Sequence, residues 1–346
     1  MAFEITGTGR AVPSRRVTND ELAAEMNLDT SDEWIRSHTG IGARHIAASD
    51  IAASDLGLEA ARKALAMASG IDADDETAMA EAALSVDVII LATASPDFFS
   101  VPSTACLVQD RIGAKNASAM DIVAGCTGFV YGLETAAGLL AMDSGRKRAL
   151  VIGSEVLSRV TDWSDRGTCV LFGDGAGAVV LDKTDAAQEG EARRGILKSI
   201  LKADGSGAEH LVCRRGGSRN PYKTGEVIDA PPHIAMNGQA VYNFAVKAIT
   251  DTVAEILAKS GIPSTDIAWI VPHQANSRII QAAARRLKIP EEKFYLNIEN
   301  YANTSAASIP IALDELNREG KLKRGDLVIF MGFGAGLTYG ANLVVW

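Results

Sequence analysis

One spacing pattern is written twice along this chain, and it restricts the possible folds more than any other feature. In the first half, Val86-Asp87-Val88-Ile89-Ile90-Leu91 is a continuous apolar run with polar neighbours, the pattern of a strand covered on both faces. A helix over about 103–112 follows, then a short strand at Met120-Asp121-Ile122-Val123, a turn of small residues at Ala124-Gly125-Cys126-Thr127-Gly128, a helix to about Met142, and a strand from Arg148 to Gly153. The second half runs through a strand at 266–271, a helix through Arg286, a short strand at 294–297, a polar turn at Asn303-Thr304-Ser305, a helix to about Asn317 and a strand at 326–330. Asp87 to Cys126 spans 39 positions and Asp266 to Asn303 spans 37, while Cys126 to Val151 and Asn303 to Val328 each span 25. Each half ends on a glycine-rich segment, 172–177 and 332–336. This is a duplicated α/β unit, and alternating strands and helices imply mostly parallel sheets between helices. Two such units packed about a pseudo-twofold axis would bring Cys126 and Asn303, which occupy matched strand-to-helix turns, to one crevice at the strand ends.

The flanking segments fill in around this frame. Residues 2–9 read as a strand, Thr18 or Asn19 and then Ser31 can each start a helix, and 54–69 is alanine-rich and helical. The stretch 70–84, acidic and then alanine-rich, shows no clear core face, and its early part reads as a surface insertion. The helix after Cys126 carries Phe129, Leu133, Ala137 and Leu140 on one stripe. With 346 residues, 47% hydrophobic content and a net charge of -9, the chain can bury a large core, which argues against disorder. The 34 basic residues against 43 acidic ones disfavour a general nucleic-acid binder. No apolar run approaches the roughly 18 residues of a membrane span, and no secretory signal pattern opens the chain, so a cytoplasmic protein without membrane contact is expected. The four cysteines are scattered without a C-x-x-C pair, so no metal site is expected.

Three residues stand out chemically. Cys126 sits at a helix start, where the dipole and unpaired N–H groups favour a thiolate, and Gly125 and Gly128 leave room for a substrate; the plainer alternative is a core cysteine in a tight turn. His273 ends a strand after Pro272 and could serve as base or hydrogen-bond donor, or simply cap a loop. Asn303 alone would be an ordinary turn asparagine, but the repeat aims it at the same cavity as Cys126. Gly173-x-Gly175-x-Gly177 hints at a dinucleotide fingerprint, yet it runs into the strand Ala178-Val179-Val180-Leu181 rather than a helix. Both glycine-rich segments therefore read as tight strand connections, the second able to aim a backbone N–H into the pocket. Arg278, Arg285, Arg286 and Lys288 form either a solvated helix face or a basic patch for an acidic partner.

Taken together, TSDEWIRSHTGI (30–41), DIVAGCTGFVYGL (121–133), DRGTCVLFGDGAGAVVL (165–181), PHQANSRII (272–280), NTSAASIPIAL (303–313) and GFGAGLTYG (332–340) resemble the β-ketoacyl-acyl carrier protein synthase III family of the thiolase-like superfamily, over nearly the whole chain. The resemblance implies a thiolase-like α/β fold whose duplicated halves, 1–185 with the cysteine and 186–346 with the histidine and asparagine, form a layered αβαβα core. It implies the initiating condensation of type II fatty acid synthesis. Cys126 takes the acyl group of an acyl-CoA primer, with acetyl-CoA expected, and His273 and Asn303 hold the thioester carbonyl of malonyl-acyl carrier protein as CO2 leaves. The backbone N–H groups of Cys126 and Ala335 would form the oxyanion site. Trp34 and Arg166 would flank the CoA adenine and Asn276 would meet the pantetheine. Gln274, Ala275, Asn276, Ser277 and Arg278 would dock the carrier protein, and Val101 and Phe333 would line the acyl pocket. A homodimer is implied, with CoA thioesters as substrates and no cofactor.

The chain departs from the family pattern at His38, where Arg is common though Arg36 lies nearby, at Ala302, where Gly is common, and at Ala335 in GFGAG. The small Val101 suggests room for a longer or branched primer. Among rival readings, a degradative thiolase needs a second catalytic cysteine near the C-terminus, and the last cysteine here is Cys213. Elongating synthases carry a second histidine where Asn303 stands. A plant-type polyketide synthase shares Cys, His and Asn but needs no carrier protein. A specialised-metabolite ketosynthase or acyltransferase of the same fold keeps all three residues, and a non-catalytic scaffold would not need them.

Overall fold

The structure, a computed structural model, describes residues 1–185, 194–225 and 232–346. The start of the second expected half, at 186, lies outside the described residues. Nine strands build two sheets: β1 (Ala2–Ala11), β2 (Val88–Ala92), β3 (Ser118–Ile122), β4 (Arg148–Val156) and β5 (Asp174–Thr184) in the first, and β6 (Gly195–Ala203), β7 (Ile267–Pro272), β8 (Leu327–Gly334) and β9 (Thr338–Val345) in the second. The first sheet runs in the order β1-β5-β4-β2-β3 and the second in the order β7-β8-β9-β6. Read from the other edge, the second is β6-β9-β8-β7, and Phe294 adds a parallel bridge to Ile270 where β3 pairs β2 in the first. The duplication therefore extends to strand order. The 294–297 segment keeps only that bridge and forms no regular strand, because the chain leaves it for the helical turn at Ile298–Tyr301.

Seven helices position the sheets: α1 (Asp32–Thr39), α2 (Ala53–Ser69), α3 (Thr104–Ile112), α4 (Gly128–Met142), α5 (Gly238–Ser260), α6 (Ser277–Leu287) and α7 (Ser308–Arg318). α4 and α7 lie between the sheets and touch both, burying Phe129, Leu133, Ile309 and Leu313 with Val151 and Phe330. α2 and α3 cover the outer face of the first sheet, and α5 and α6 that of the second. The result is a layered αβαβα thiolase-like fold.

Strand direction departs from the sequence expectation. Three of the seven strand pairings are parallel and four antiparallel, so the sheets are mixed. Only one of the two glycine-rich ends contributes to this. The second closes a tight hairpin between β8 and β9, as expected of a strand connection. The first is not a connection at all: Gly175 and Gly177 lie inside β5, where a Cβ on Gly177 would sit 2.6 Å from the Ile311 backbone nitrogen. Bare backbone there lets α7 approach the sheet. The later, alanine-rich part of 70–84 does have a core face. Asp75 caps a helix over Glu76–Ala83 that buries Met79 and Ala83 in the outer core. Its short apolar face is too brief for a periodic signal.

Candidate active site

The two matched turns meet at a cavity of about 570 Å³ lined by Cys126, His273 and Asn303. Cys126 occupies a short 3-10 turn, Gly125–Thr127, that runs straight into α4. Gly125 takes a left-handed φ of 51°, and a Cβ there would lie 2.8 Å from the Ala335 nitrogen. From the other side, a Cβ on Gly334 would lie 2.7 Å from the Cys126 nitrogen. Thr338 Oγ1 donates to the Ala124 carbonyl at 2.8 Å, and Thr127 Oγ1 donates to the Thr338 carbonyl at 3.0 Å. The cysteine turn and the β8–β9 hairpin are thus locked together, with the Cys126 and Ala335 backbones side by side. If Cys126 takes the acyl group as the sequence resemblance implies, Gly334→Ala is expected to wedge them apart and cut the rate of that acylation by about a hundredfold or more, since ångström-scale misplacement of reacting groups has that effect. Stopped-flow acylation with an acyl-CoA measures it.

His273 follows β7 directly, its N–H donating to the Met331 carbonyl at 2.8 Å. Its ring packs on Phe333, centroid to centroid 5.1 Å, and its Nδ1 lies 2.7 Å from Ser308 Oγ. Burial drops its pKa to about 3, so the imidazole is neutral. Asn303 is tied into the wall by its backbone, donating to the Leu171 carbonyl at 2.9 Å and accepting from Gly173 at 3.1 Å. Its Oδ1 accepts the Ser305 N–H at 2.9 Å, which assigns the NH2 end of the amide to the cavity. Ala302, at φ 56°, holds a left-handed conformation that explains why glycine suits this position better.

Cys126 differs from the thiolate expected at a helix start. Burial pushes its thiol up to about 12, with the Glu155 charge adding to the rise and the Ser305 hydroxyl opposing it. Desolvation of a site that is only 9% exposed outweighs the turn's dipole, and the resting group is the thiol. The rate of iodoacetamide labelling at Cys126, followed site by site by peptide mass spectrometry, is expected to climb about tenfold per pH unit from pH 7 to 10 without a plateau. A plateau near neutrality would mean that a thiolate is already present. Slow labelling at pH 7 therefore does not mark this chain as a scaffold.

Glu155 was not among the candidates read from the sequence. It ends β4 fully buried, with Oε2 accepting from Ser95 Oγ at 2.7 Å, Ala94 N at 3.0 Å and Thr93 Oγ1 at 3.2 Å, while Oε1 accepts from Ala306 N at 3.4 Å. It ties the first half to the 303–308 segment beneath Cys126. Burial raises its pKa, and the hydrogen bonds from Ser95, Ala94, Ser305 and Ala306 oppose that rise. The available signal was a lone acid inside the apolar run Leu150–Leu157.

The proposed binding residues fall into different groups. Trp34, 37% exposed, lines the cavity with Arg166 over its ring at 5.2 Å, while His38 stacks on it at 4.3 Å. Arg36 pairs with both Asp32 and Glu299, so it does not stand in for an arginine at position 38. Asn276 lines the cavity but caps α6 through Oδ1 and donates to the His38 carbonyl at 3.0 Å. Ala275 also lines the cavity, Ser277 packs against Gly40, and Arg278 is exposed on α6. Gln274 is 1% exposed, and its amide bridges the Pro272 and Tyr295 carbonyls and the Asn297 N–H. It is an internal brace and offers nothing to a docking partner, because those three backbone groups engage both ends of its amide. Phe333 lines the cavity, whereas Val101 is 80% exposed and outside it, so within one chain Val101 forms no part of an acyl pocket. The 98–103 loop carries it out to solvent. Among the described residues no cluster of His, Cys, Asp or Glu could hold a metal, and no helix is long and apolar enough to cross a membrane.

Fold and cavity together define a thiolase-like condensing enzyme, an acyltransferase. Family models described as 3-oxoacyl-[acyl-carrier-protein] synthase III and its C-terminal region match residues 120–205 and 257–346. The chain is 45% identical over 345 residues to the β-ketoacyl-[acyl-carrier-protein] synthase III of Clostridium acetobutylicum, covering 100% of this chain and 99% of that one. It is 48% identical over 344 residues to the protein of the same name from Natranaerobius thermophilus, covering 99% of each. The crystal structure of 3-oxoacyl-[acyl-carrier-protein] synthase III from Aquifex aeolicus superposes with a TM-score of 0.85 at 41% identity, covering 99% of this chain and 100% of that one. The priming β-ketosynthase of the R1128 polyketide pathway superposes at 0.84 with 31% identity, covering 99% and 96%. The chain belongs to the β-ketoacyl-acyl carrier protein synthase III family.

Proposed function

We propose that this protein primes fatty acid synthesis by condensing an acyl-CoA with malonyl-acyl carrier protein, giving β-ketoacyl-acyl carrier protein, CoA and CO2. The observation that carries the reading is the meeting of Cys126 and Asn303, on two matched turns, with His273, at the end of β7, in one cavity. In the first half-reaction the Cys126 sulfur attacks the acyl-CoA carbonyl, the bond to the CoA sulfur breaks, and the thiol proton ends on CoA. The Cys126 and Ala335 N–H groups stabilise the oxyanion. In the second, the malonyl thioester carbonyl accepts hydrogen bonds from Asn303 Nδ2 and from the neutral His273. Loss of CO2 leaves its electron pair as an enolate, the enolate carbon attacks the acyl-Cys126 carbonyl, and the bond from that carbonyl to the Cys126 sulfur breaks, expelling the thiolate. The thiol proton has left with CoA, so the released Cys126 thiolate takes one proton from solvent to restore the resting thiol, and carbon–carbon bond formation is driven by CO2 release without a metal or redox group.

A neutral imidazole suits this role, because donors aimed at a developing oxyanion favour the transition state over the ground state. His273→Ala and Asn303→Ala are each expected to slow malonyl decarboxylation by about 10² to 10³ while Cys126 still acylates. Trp34 and Arg166 would hold the CoA adenine, Asn276 would border the pantetheine, and exposed Arg278 with Ala275 and Ser277 would face the carrier protein. On this reading the halves 1–185 and 186–346 supply the nucleophile and the two donors respectively, and the enzyme works in the cytoplasm. A homodimer would cover the exposed Phe98, Phe99, Val101, Met120 and Val123 beside the free edge of β3. Light scattering tests that.

The deciding experiment mixes the protein with malonyl-acyl carrier protein and a panel of acyl-CoAs, acetyl-CoA first, and reads products by mass spectrometry. A β-ketoacyl-carrier product supports the proposal and names the primer. The likeness to a polyketide priming synthase supports a second reading, in which the same condensation primes polyketide rather than fatty acid synthesis. Acylated Cys126 without condensation would overturn both.

A further inference from the structure

We propose that Ser308 is a positioning residue that keeps the proton of His273 on Nε2, the nitrogen turned away from Ser308; this rests on the reading of His273 as a donor to the malonyl thioester carbonyl. A neutral imidazole has one N–H to share between two nitrogens, and whichever nitrogen lacks it can only accept. Nδ1 lies 2.7 Å from Ser308 Oγ. That oxygen also receives the Gln274 backbone N–H at 3.3 Å and lies 2.8 Å from the Ser305 carbonyl.

The Ser308 hydroxyl has a single proton and two acceptors competing for it. Given to the Ser305 carbonyl, it forces Nδ1 to carry the imidazole proton and leaves Nε2 bare. Given to Nδ1, it leaves the imidazole proton on Nε2. The second arrangement strands no group, because the Ser305 carbonyl still accepts the Ser308 backbone N–H. It also makes a continuous chain, from Gln274 N–H to Ser308 Oγ–H to His273 Nδ1, in which each bond polarises the next. The ring cannot turn away from this arrangement freely, since it is buried against Phe333.

The same short segment thereby sets both donors. Ser305 N–H takes the Asn303 Oδ1 and leaves the amide NH2 for the cavity, and three residues on, Ser308 takes the imidazole Nδ1 and leaves Nε2–H.

The test reads the tautomer directly. Protein labelled with 15N-histidine is examined by long-range proton–nitrogen correlation, with His273→Ala identifying the signal among five histidines. The expected wild-type spectrum has a bare Nδ1 and a protonated Nε2. Ser308→Ala is expected to mix or reverse the two, to lower decarboxylation of malonyl-acyl carrier protein about tenfold or more, and to leave Cys126 acylation by acyl-CoA within about twofold. Ser308→Thr, which keeps the hydroxyl, restores both tautomer and rate. A protonated Nδ1 in the wild type overturns the proposal, and so does an equal loss in both half-reactions with an unchanged tautomer. If His273→Ala itself decarboxylates normally, the catalytic reading of His273 fails instead, and the spectrum still reports where the proton sits.

Discussion

Cys126→Ala is expected to abolish the acyl-enzyme: incubation with an acyl-CoA should add no acyl mass to the protein, and condensation should fall by about 10⁴ or more, as when a covalent nucleophile is removed elsewhere. The variant should fold normally. The alanine keeps the Cβ that packs beside Gly334 and loses only the sulfur, which faces the cavity. It should retain slow malonyl decarboxylation, because the His273 and Asn303 donors do not depend on the thiol. A variant that still condenses at an appreciable fraction of the wild-type rate would remove Cys126 from the mechanism.

Glu155→Ala is expected to be the most damaging substitution for stability. It strands the Thr93 and Ser95 hydroxyls and the Ala94 and Ala306 N–H groups, all held by one buried carboxyl. Leaving buried donors without an acceptor costs about 1–3 kcal/mol each, so a loss of about 3 kcal/mol or more is expected after water partly refills the space. Differential scanning calorimetry would read a drop in Tm of several degrees. Glu155→Gln keeps an acceptor at the same place and should recover much of it. Activity should fall along with stability, because Ala306 and Ser305 belong to the segment that aims Asn303. The carboxyl's raised pKa has a further consequence. Folded Glu155 binds its proton more tightly than the unfolded chain does, so its contribution to stability is greatest below the ordinary carboxylate range and falls as pH rises through its folded pKa. The pH dependence of Tm should be flatter in Glu155→Gln. An unchanged Tm in Glu155→Ala would show that the carboxyl braces nothing.

Much of the fold was legible because its signals are local. Thr18 caps a helix through a capping box with Glu21, and Ser31 caps α1, both as residue type and spacing indicate. β2 was visible as an apolar run because it is buried on both faces. The buried stripe of α4 was visible in its Phe129, Leu133 and Leu140. Where local signals thinned, the reading failed: the 76–83 helix has only two buried positions, and Phe294 keeps a single bridge. Strand direction also escaped, since a glycine that permits a close helix and a glycine that permits a turn look alike in sequence.

The division at the site is sharper. The sequence alone determined that a cysteine and an asparagine stand at equivalent turns of a repeated unit, with a histidine at a strand end, because turn residues and strand ends are set by neighbours a few positions away. Only the tertiary structure decided what those groups are. The thiol and the imidazole are both neutral at rest because segments hundreds of residues apart exclude water from them. Gln274 is a brace rather than a contact because Tyr295 and Asn297 fold back onto it. Glu155 meets Ala306 across 151 residues, and Ser308 reaches His273 across 35. Desolvation and long-range hydrogen bonds have no local pattern, so they exist for the reader only once the chain is folded.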